Sequence, residues 1–390
     1  MKILMIAPVP FFAPRGTPIS ILGRLMVLSS LGHEVHLITY PVGKDIFIPG
    51  VRIYRTTNLR FIKEVPVGPS WIKLLLDVFL IIKAFRMLRS TQYDLLHTHE
   101  EACVFGSMLC KVFKVRHLYD FHSSIPQALK NFGYDRFPIL IRFFEWTERW
   151  VIHSSNGLIA ISPALADYVR KINDKIPIVT IEDTVGIIDD RSISIEEIQK
   201  LKLKNPQLDG KKIVLYTGTL ELYQGIDLLI SSASLVVRNR NDVMFVLVGG
   251  KPNQVKHYCN LADKAGLSSN FLFTGMLPPE ETLIFVKIAD VLVSPRIKGN
   301  NTPSKVYSYL RSGKPIIATN HISHTQVLNP DVAVLVEPNP EAFAQGLLTV
   351  LQDSSLARKV GEKGRLYFER NYSYDHFVNL TDKIYKEAAK

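Results

Sequence analysis

The chain has 390 residues, 47% of them apolar, with 47 Lys+Arg against 36 Asp+Glu and a net charge of +11. That length and composition suit two folded domains, each with its own core, and exclude disordered and fibrous classes. The basic excess points to anionic partners. No zinc-ligand spacing or RNA-binding aromatic signature accompanies it, so nucleic acid is set aside in favour of an anionic membrane surface or a merely solvated one.

Lys2 to Ala7 reads as a buried strand, and its apolar run is too short for a cleavable signal. A loop follows to Gly16, where a small residue beside a helix start can let a ligand reach backbone amides; a simple turn glycine is the alternative. Thr17-Pro18 opens a helix ending near Gly32, and Val35 to Tyr40 is the next strand. This is how a doubly wound parallel sheet begins, but no GxGxxG lies in the turn, which disfavours a dinucleotide-dependent oxidoreductase. Trp71 to Leu88 is apolar yet interrupted by Lys73, Asp77, Lys83 and Arg86. A spanning helix would have to bury those charges, so a core-packed helix is expected.

Strands at Leu95 to Thr98 and His117 to Tyr119 end in polar residues, where open α/β sheets place ligands. His97, His99, Glu100 and His122 are therefore the candidates of the first half. His122 is followed by Ser123-Ser124 and Pro126, a loop rather than an apolar face, and imidazole exchanges protons with hydroxyls near neutral pH. Helix Pro138 to His153, strand Gly157 to Ile161 and a helix capped by Ser162 lead to strand Ile178 to Ile181. A polar stretch with a Ser194/Glu197 capping box for a short helix and turn signals at Asn205-Pro206 and Asp209-Gly210 marks the domain boundary.

The pattern then restarts with strand Ile213 to Tyr216, loop TGTLELYQG and a helix from Ile226, and strands and helices alternate to Val291 to Ser294. From Val293 to Thr319 the chain reads strand, polar loop, short helix and strand. Asn301 or Thr302 is expected to cap that helix, Pro303 to sit in its first turn and Gly313 to end it. Arg296 and Lys298 lie in the loop, and Lys305 lies just inside the helix. With the first-turn amides they make an anion-binding mouth; an ordinary capped helix under a surface loop is the competing account. Three terminal helices follow. Cys103, Cys110 and Cys259 match no disulfide framework and no metal pair, and are read as thiols in a reducing compartment. No metal cluster is visible.

The second half resembles the retaining, sugar-nucleotide-dependent glycosyltransferases of the GT-B type, family 4, through TGTLELYQGIDLLISSA, FVLVGG, FLFTGMLPPEE, ADVLVSPR and SKVYSYLRSGKPIIAT. The first half is similar through MKILMIAP, LGHEVHLIT, YDLLHTH and RHLYDFHSS. The resemblance implies two Rossmann-like domains facing a central cleft. Residues 1–186 form the acceptor domain, 187–210 a linker, 211–373 the donor domain and 374–390 a terminal helix that packs back on the first domain. It implies a cytoplasmic enzyme with no cofactor and no metal, using a nucleotide sugar as co-substrate and a glycan or lipid-linked acceptor, with peripheral contact at an anionic membrane as a further expectation. His122 matches the family's active-site histidine and Gly16 its first loop.

Two departures stand out. The family's Arg and Lys in the phosphate loop fall on Thr219 and Gln224, and its paired glutamates fall on Asn300 and Ser308. Losing both cations without replacement would cripple stabilisation of the leaving diphosphate, since a hydrogen bond to a charged group contributes roughly 1.5–3 kcal/mol. Either Arg296, Lys298 and Lys305, with the amides around Thr302 and Ser304, supply the charge from the other side, or the site has decayed and the chain binds glycans or scaffolds without turnover. A sugar-nucleotide epimerase is a third reading. The expected donor contacts are Gly16, Thr219, Gln224, Arg296, Asn300, Thr302, Ser304, Lys305 and Ser308, with His122 as the catalytic group.

Overall fold

The computed structural model describes all residues except 13–15, 59–61, 63–64, 66–69, 132–133, 135, 183–191 and 300–301. The chain divides into two compact units, Met1–Ile188 with Tyr374–Lys390, and Asp189–Ser373.

The first unit is a seven-stranded parallel sheet. Its strands are β1 (Lys2–Ala7), β2 (Glu34–Thr39), β3 (Val51–Arg55), β4 (Leu95–His99), β5 (Arg116–Phe121), β6 (Gly157–Ala160) and β7 (Ile178–Thr180), in the order β3-β2-β1-β4-β5-β6-β7. The central strands are buried on both faces because helices cover both, and so they read as continuous apolar runs. One face carries α1 (Gly16–Ser30) and the terminal α15 (Tyr374–Ala388), which pack Ile21, Leu25, Phe377 and Ile384 onto the sheet. The other carries α2 (Trp71–Ser90), α3 (Ala102–Phe113), α5 (Pro138–Ser154) and α6 (Pro163–Ile172), with a short α4 (Ile125–Asn131) between them. Ser162 caps α6 as its sequence implies, accepting from the Leu165 amide.

Two features differ from the sequence reading. β3 was not expected: VRIYR alternates charge with apolar residues on a half-buried edge, and its signal is weaker than that of the central strands. The helix expected from Thr17 begins at Gly16, and Thr17 donates to Glu100 rather than serving as a cap.

The second unit is a six-stranded parallel sheet of β8 (Lys212–Thr217), β9 (Val243–Val248), β10 (Phe271–Gly275), β11 (Val291–Ser294), β12 (Ile316–Thr319) and β13 (Val334–Val336), ordered β10-β9-β8-β11-β12-β13. Its helices are α7 (Ile195–Lys204), α8 (Ile226–Asn239), α9 (Pro252–Lys264), α10 (Pro279–Ile288), α11 (Lys305–Ser312), a one-turn α12 (Ile322–Thr325), α13 (Pro340–Gln352) and α14 (Ser354–Asn371). Residues 195–204, inside the stretch read as a linker, form α7, the short helix that the Ser194/Glu197 capping box predicts, and it packs on α10. Both sheets have a switch point, between β1 and β4 and between β8 and β11, where strand order reverses and the crevice at the strand C-termini takes ligands.

Candidate active site

At the switch point of the second unit, β8 ends at Thr217, whose amide donates to the Tyr309 hydroxyl at 2.8 Å. That bond docks α11 against the loop after β8 and sets where Lys305, its first residue, delivers its ammonium. Lys305 Nζ lies 3.6 Å from the Tyr216 ring centroid and donates to Gln224 Oε1 at 3.3 Å. Gln224 in turn points Nε2 at Thr219 Oγ1, 3.5 Å away. An amine from a residue 81 positions later thus reaches Gln224, the position where the family's lysine is missing. Burial, then the neighbouring Arg296, holds the Lys305 amine well below the ordinary lysine range.

Arg296 leaves the C-terminus of β11, with its guanidinium carbon 5.1 Å from the Tyr223 ring centroid and Nε donating to the Lys298 carbonyl at 2.7 Å. A Cβ at Gly299 would stand 2.4 Å from the guanidinium, so glycine is what lets the loop fold over it. The Arg296 carbonyl accepts from Thr319 Oγ1, and beneath it His324 bonds Ser294 Oγ at 2.8 Å and Thr319 Oγ1 at 3.0 Å. Burial first holds His324 neutral, down to about 3. Gly225, at φ +74°, ties the two loops together: a Cβ there would stand 2.0 Å from the Pro295 carbonyl oxygen.

Several expectations about α11 need correction. The helix starts at Lys305, not Pro303, and among the described residues no side chain caps it; Ser304 occupies the cap position with helical angles and is exposed. The Val306 and Tyr307 amides bond back to the Pro303 and Ser304 carbonyls, leaving fewer free donors for an anion than a capped start would. Thr302 Oγ1 is buried without a partner among the described residues. Ser308 Oγ is spent on the Lys305 carbonyl at 2.8 Å. Asn300 and Asn301 lie outside the described residues. Lys298 is exposed.

The switch point of the first unit holds a buried polar cluster. Asp120 at the end of β5 sits 3.3 Å from His122 Nε2, 3.4 Å from the Arg24 guanidinium, 3.6 Å from His97 Nε2 and 3.7 Å from His99 Nδ1. Burial pushes its carboxyl up, but His122 and Arg24 together with the other imidazoles outweigh that and hold it well below the carboxylate range. Arg24 also donates to Thr381 of α15 at 3.1 Å, and the Tyr385 hydroxyl of the same helix meets His97 Nδ1. Burial lowers both His97 and His99. Among the described residues, His97, His99 and Asp120 bring ligand atoms close enough to hold a metal ion. The Arg24 guanidinium already neutralises the same carboxylate oxygen and would oppose a second cation there. Gly16 opens α1; the loop before it, residues 13–15, is outside the described residues.

Sequence reasoning missed Arg24 and the Asp120 hub. A lone arginine inside the apolar helix GTPISILGRLMVLSS was the available signal, because a buried charge demands a partner.

Two doubly wound domains with ligand loops at their switch points define the two-Rossmann-domain class of α/β proteins. Residues 24–183 match the model "Glycosyltransferase Family 4", and residues 197–367 match "Glycosyl transferases group 1". The chain belongs to the family 4 glycosyltransferases of GT-B fold. It is 24% identical over 376 residues to an uncharacterized glycosyltransferase of Methanocaldococcus jannaschii, covering 92% of this chain and 90% of that one. It is 24% identical over 247 residues to the alpha-monoglucosyldiacylglycerol synthase of Streptococcus pneumoniae, covering 60% and 54%. The alignments with a second M. jannaschii glycosyltransferase and with a putative glycosyltransferase of Bacillus subtilis span only 59% and 49% of those relatives. Among solved structures, a glycosyltransferase from Rickettsia africae superposes with a TM-score of 0.75 at 20% identity over 100% of this chain and 98% of that one. Anabaena HepE in complex with UDP gives 0.72 at 15% over 99% of each. At such identity these two establish the fold.

Proposed function

We propose that the chain transfers a sugar, with retention, from a nucleotide sugar held by the second unit to a hydroxyl of a glycan or lipid-linked acceptor used in cell-envelope synthesis. The observation carrying this reading is Lys305: its amine stands beside Gln224 and the loop after β8, with Arg296 close by, so a guanidinium and an amine that a bound diphosphate would protonate lie where the family's cations are missing. As the bond from the anomeric carbon to the diphosphate breaks, its electron pair goes to the phosphate oxygen, and these two cations stabilise the growing charge. The acceptor oxygen bonds to the anomeric carbon, and its proton passes to the departing phosphate. No metal ion is needed for this account. His122 is assigned to the sugar and acceptor, with Asp120 fixing its ring. A glycolipid product is supported by the similarity to the diacylglycerol glucoside synthase.

The test is incubation with a panel of nucleotide sugars and a polyprenyl or diacylglycerol acceptor, followed by mass spectrometry. Transfer from one donor is expected, and His122→Ala should remove transfer while sparing donor binding. Donor conversion without acceptor would point instead to an epimerase. A non-catalytic glycan-binding role is favoured by one observation, the commitment of Ser308 Oγ to its own helix where the family holds a carboxylate. It would show as binding of a glycan with no nucleotide binding at all.

A further inference from the structure

Three of the helices on one face of the first sheet leave apolar stripes pointing outward. On α2, Trp71, Leu74, Val78, Ile82 and Phe85 recur at helical spacing along the exposed side, with Trp71 68% and Leu74 71% exposed. The helix expected to be core-packed therefore buries only its Leu76, Leu80, Ala84 and Leu88 edge. Next to it α3 presents Met108 and Val112, and beyond that α5 presents Ile139, Phe143 and Trp146, one turn apart, with Ile139 84% exposed. The helices are contiguous: Phe85 of α2 stacks edge-on with Phe113 of α3 at 5.2 Å, and Lys111 of α3 lies 4.8 Å over the Trp150 ring of α5. An uncovered apolar surface spread over three adjacent helices marks an interaction site.

Charge identifies what covers it. The same helices expose Arg86, Arg89, Lys111, Arg142 and Arg149. Of their carboxylates, Asp77 is bonded to Tyr40, Glu148 is buried against Ser124 and Tyr168, and Glu145 is exposed but paired with Lys130; α3 has none. Beside α2 opens a cavity of about 480 Å³ whose lining mixes Tyr54, Phe79, Ile82 and Met87 with Lys83 and Arg86. All three tryptophans of the chain, Trp71, Trp146 and Trp150, lie on α2 and α5. Tryptophan and arginine around an apolar face match the boundary between acyl chains and headgroups. No helix among the described residues is long and apolar enough to cross a membrane. We propose that the outer face of α2, α3 and α5 lies on an anionic lipid bilayer, its apolar stripes in the headgroup boundary and its arginines on the lipid phosphates. The surface makes no use of the donor loops, so it stands or falls separately from sugar transfer.

The experiment is sedimentation of the full chain with phosphatidylcholine vesicles and with vesicles that also contain phosphatidylglycerol, at low and high salt, while tryptophan emission is recorded. Binding to the anionic vesicles alone, weakened by salt and accompanied by a blue shift, is expected. The exposed pairs Phe143→Ser/Trp146→Ser and Leu74→Ser/Val78→Ser should each lower partition by at least about tenfold while circular dichroism and nucleotide binding stay unchanged. Absence of vesicle binding, or binding indifferent to both pairs, overturns the proposal. So does a dimer in sedimentation velocity that the same pairs dissolve, since the face would then belong to a second copy.

Discussion

Lys305 decides the electrostatics of the donor site, because its amine is held below its ordinary range with Arg296 as a like-charged neighbour. A diphosphate entering beside both would restore the protonated form. Binding should therefore take up protons, and affinity should fall as pH rises above the free-state pKa of Lys305. Calorimetry of nucleoside diphosphate binding in buffers of different ionisation enthalpy reads that uptake, and Lys305→Met should abolish it. Arg296→Ala should weaken the same binding roughly 10- to 100-fold, as expected for loss of a charged hydrogen bond, with little change in Tm because its partners are a carbonyl and an exposed ring. Sequence pointed to Arg296 and Lys305 through their place after a strand and at a helix start. It could not say that Lys305 reaches Gln224, because that pairing depends on how the Thr217 amide anchors Tyr309. Nor could it find the partner of Arg24, which lies 96 residues away at the end of β5.

At the scale of elements, the loops after β8 and β11 work as one piece, joined where Gly225 passes the Pro295 carbonyl. Gly225→Ala would meet both a left-handed backbone and that oxygen, and should cost roughly 2–4 kcal/mol of stability, read as a lower denaturant midpoint with donor binding lost in parallel. On α2, burial first and Glu101 second push the Asp77 carboxyl up to about 7. The native state thus holds a proton that the unfolded chain releases between pH 4 and 7, so stability falls as pH rises through that window. Asp77→Asn should be more stable than wild type at pH 8 by roughly 1–3 kcal/mol, with the gap closing towards pH 4 in urea titrations. The buried central strands were legible as apolar runs, whereas the half-buried β3 and the outward stripe of α2 were not. A pattern of apolar residues does not say which of them a neighbour will cover.

For the whole molecule, alternating strands and helices made both doubly wound sheets readable, and the polar ends of their strands pointed to candidate ligand positions. What sequence left open was whether a chain lacking the family's loop cations and paired carboxylates still grips a donor. Only half of that departure has a counterpart in the described residues: the Arg296 guanidinium and the Lys305 amine stand near the missing cations, while Ser308 makes no substitute for a carboxylate. Calorimetric titration of the full chain with UDP, GDP and ADP, repeated on Arg296→Ala/Lys305→Met, tests that grip directly. Single-site binding of at least one of the three, lost in the double variant, is the predicted result. Wild-type binding that the double variant retains, or no binding to any of them, would contradict the account.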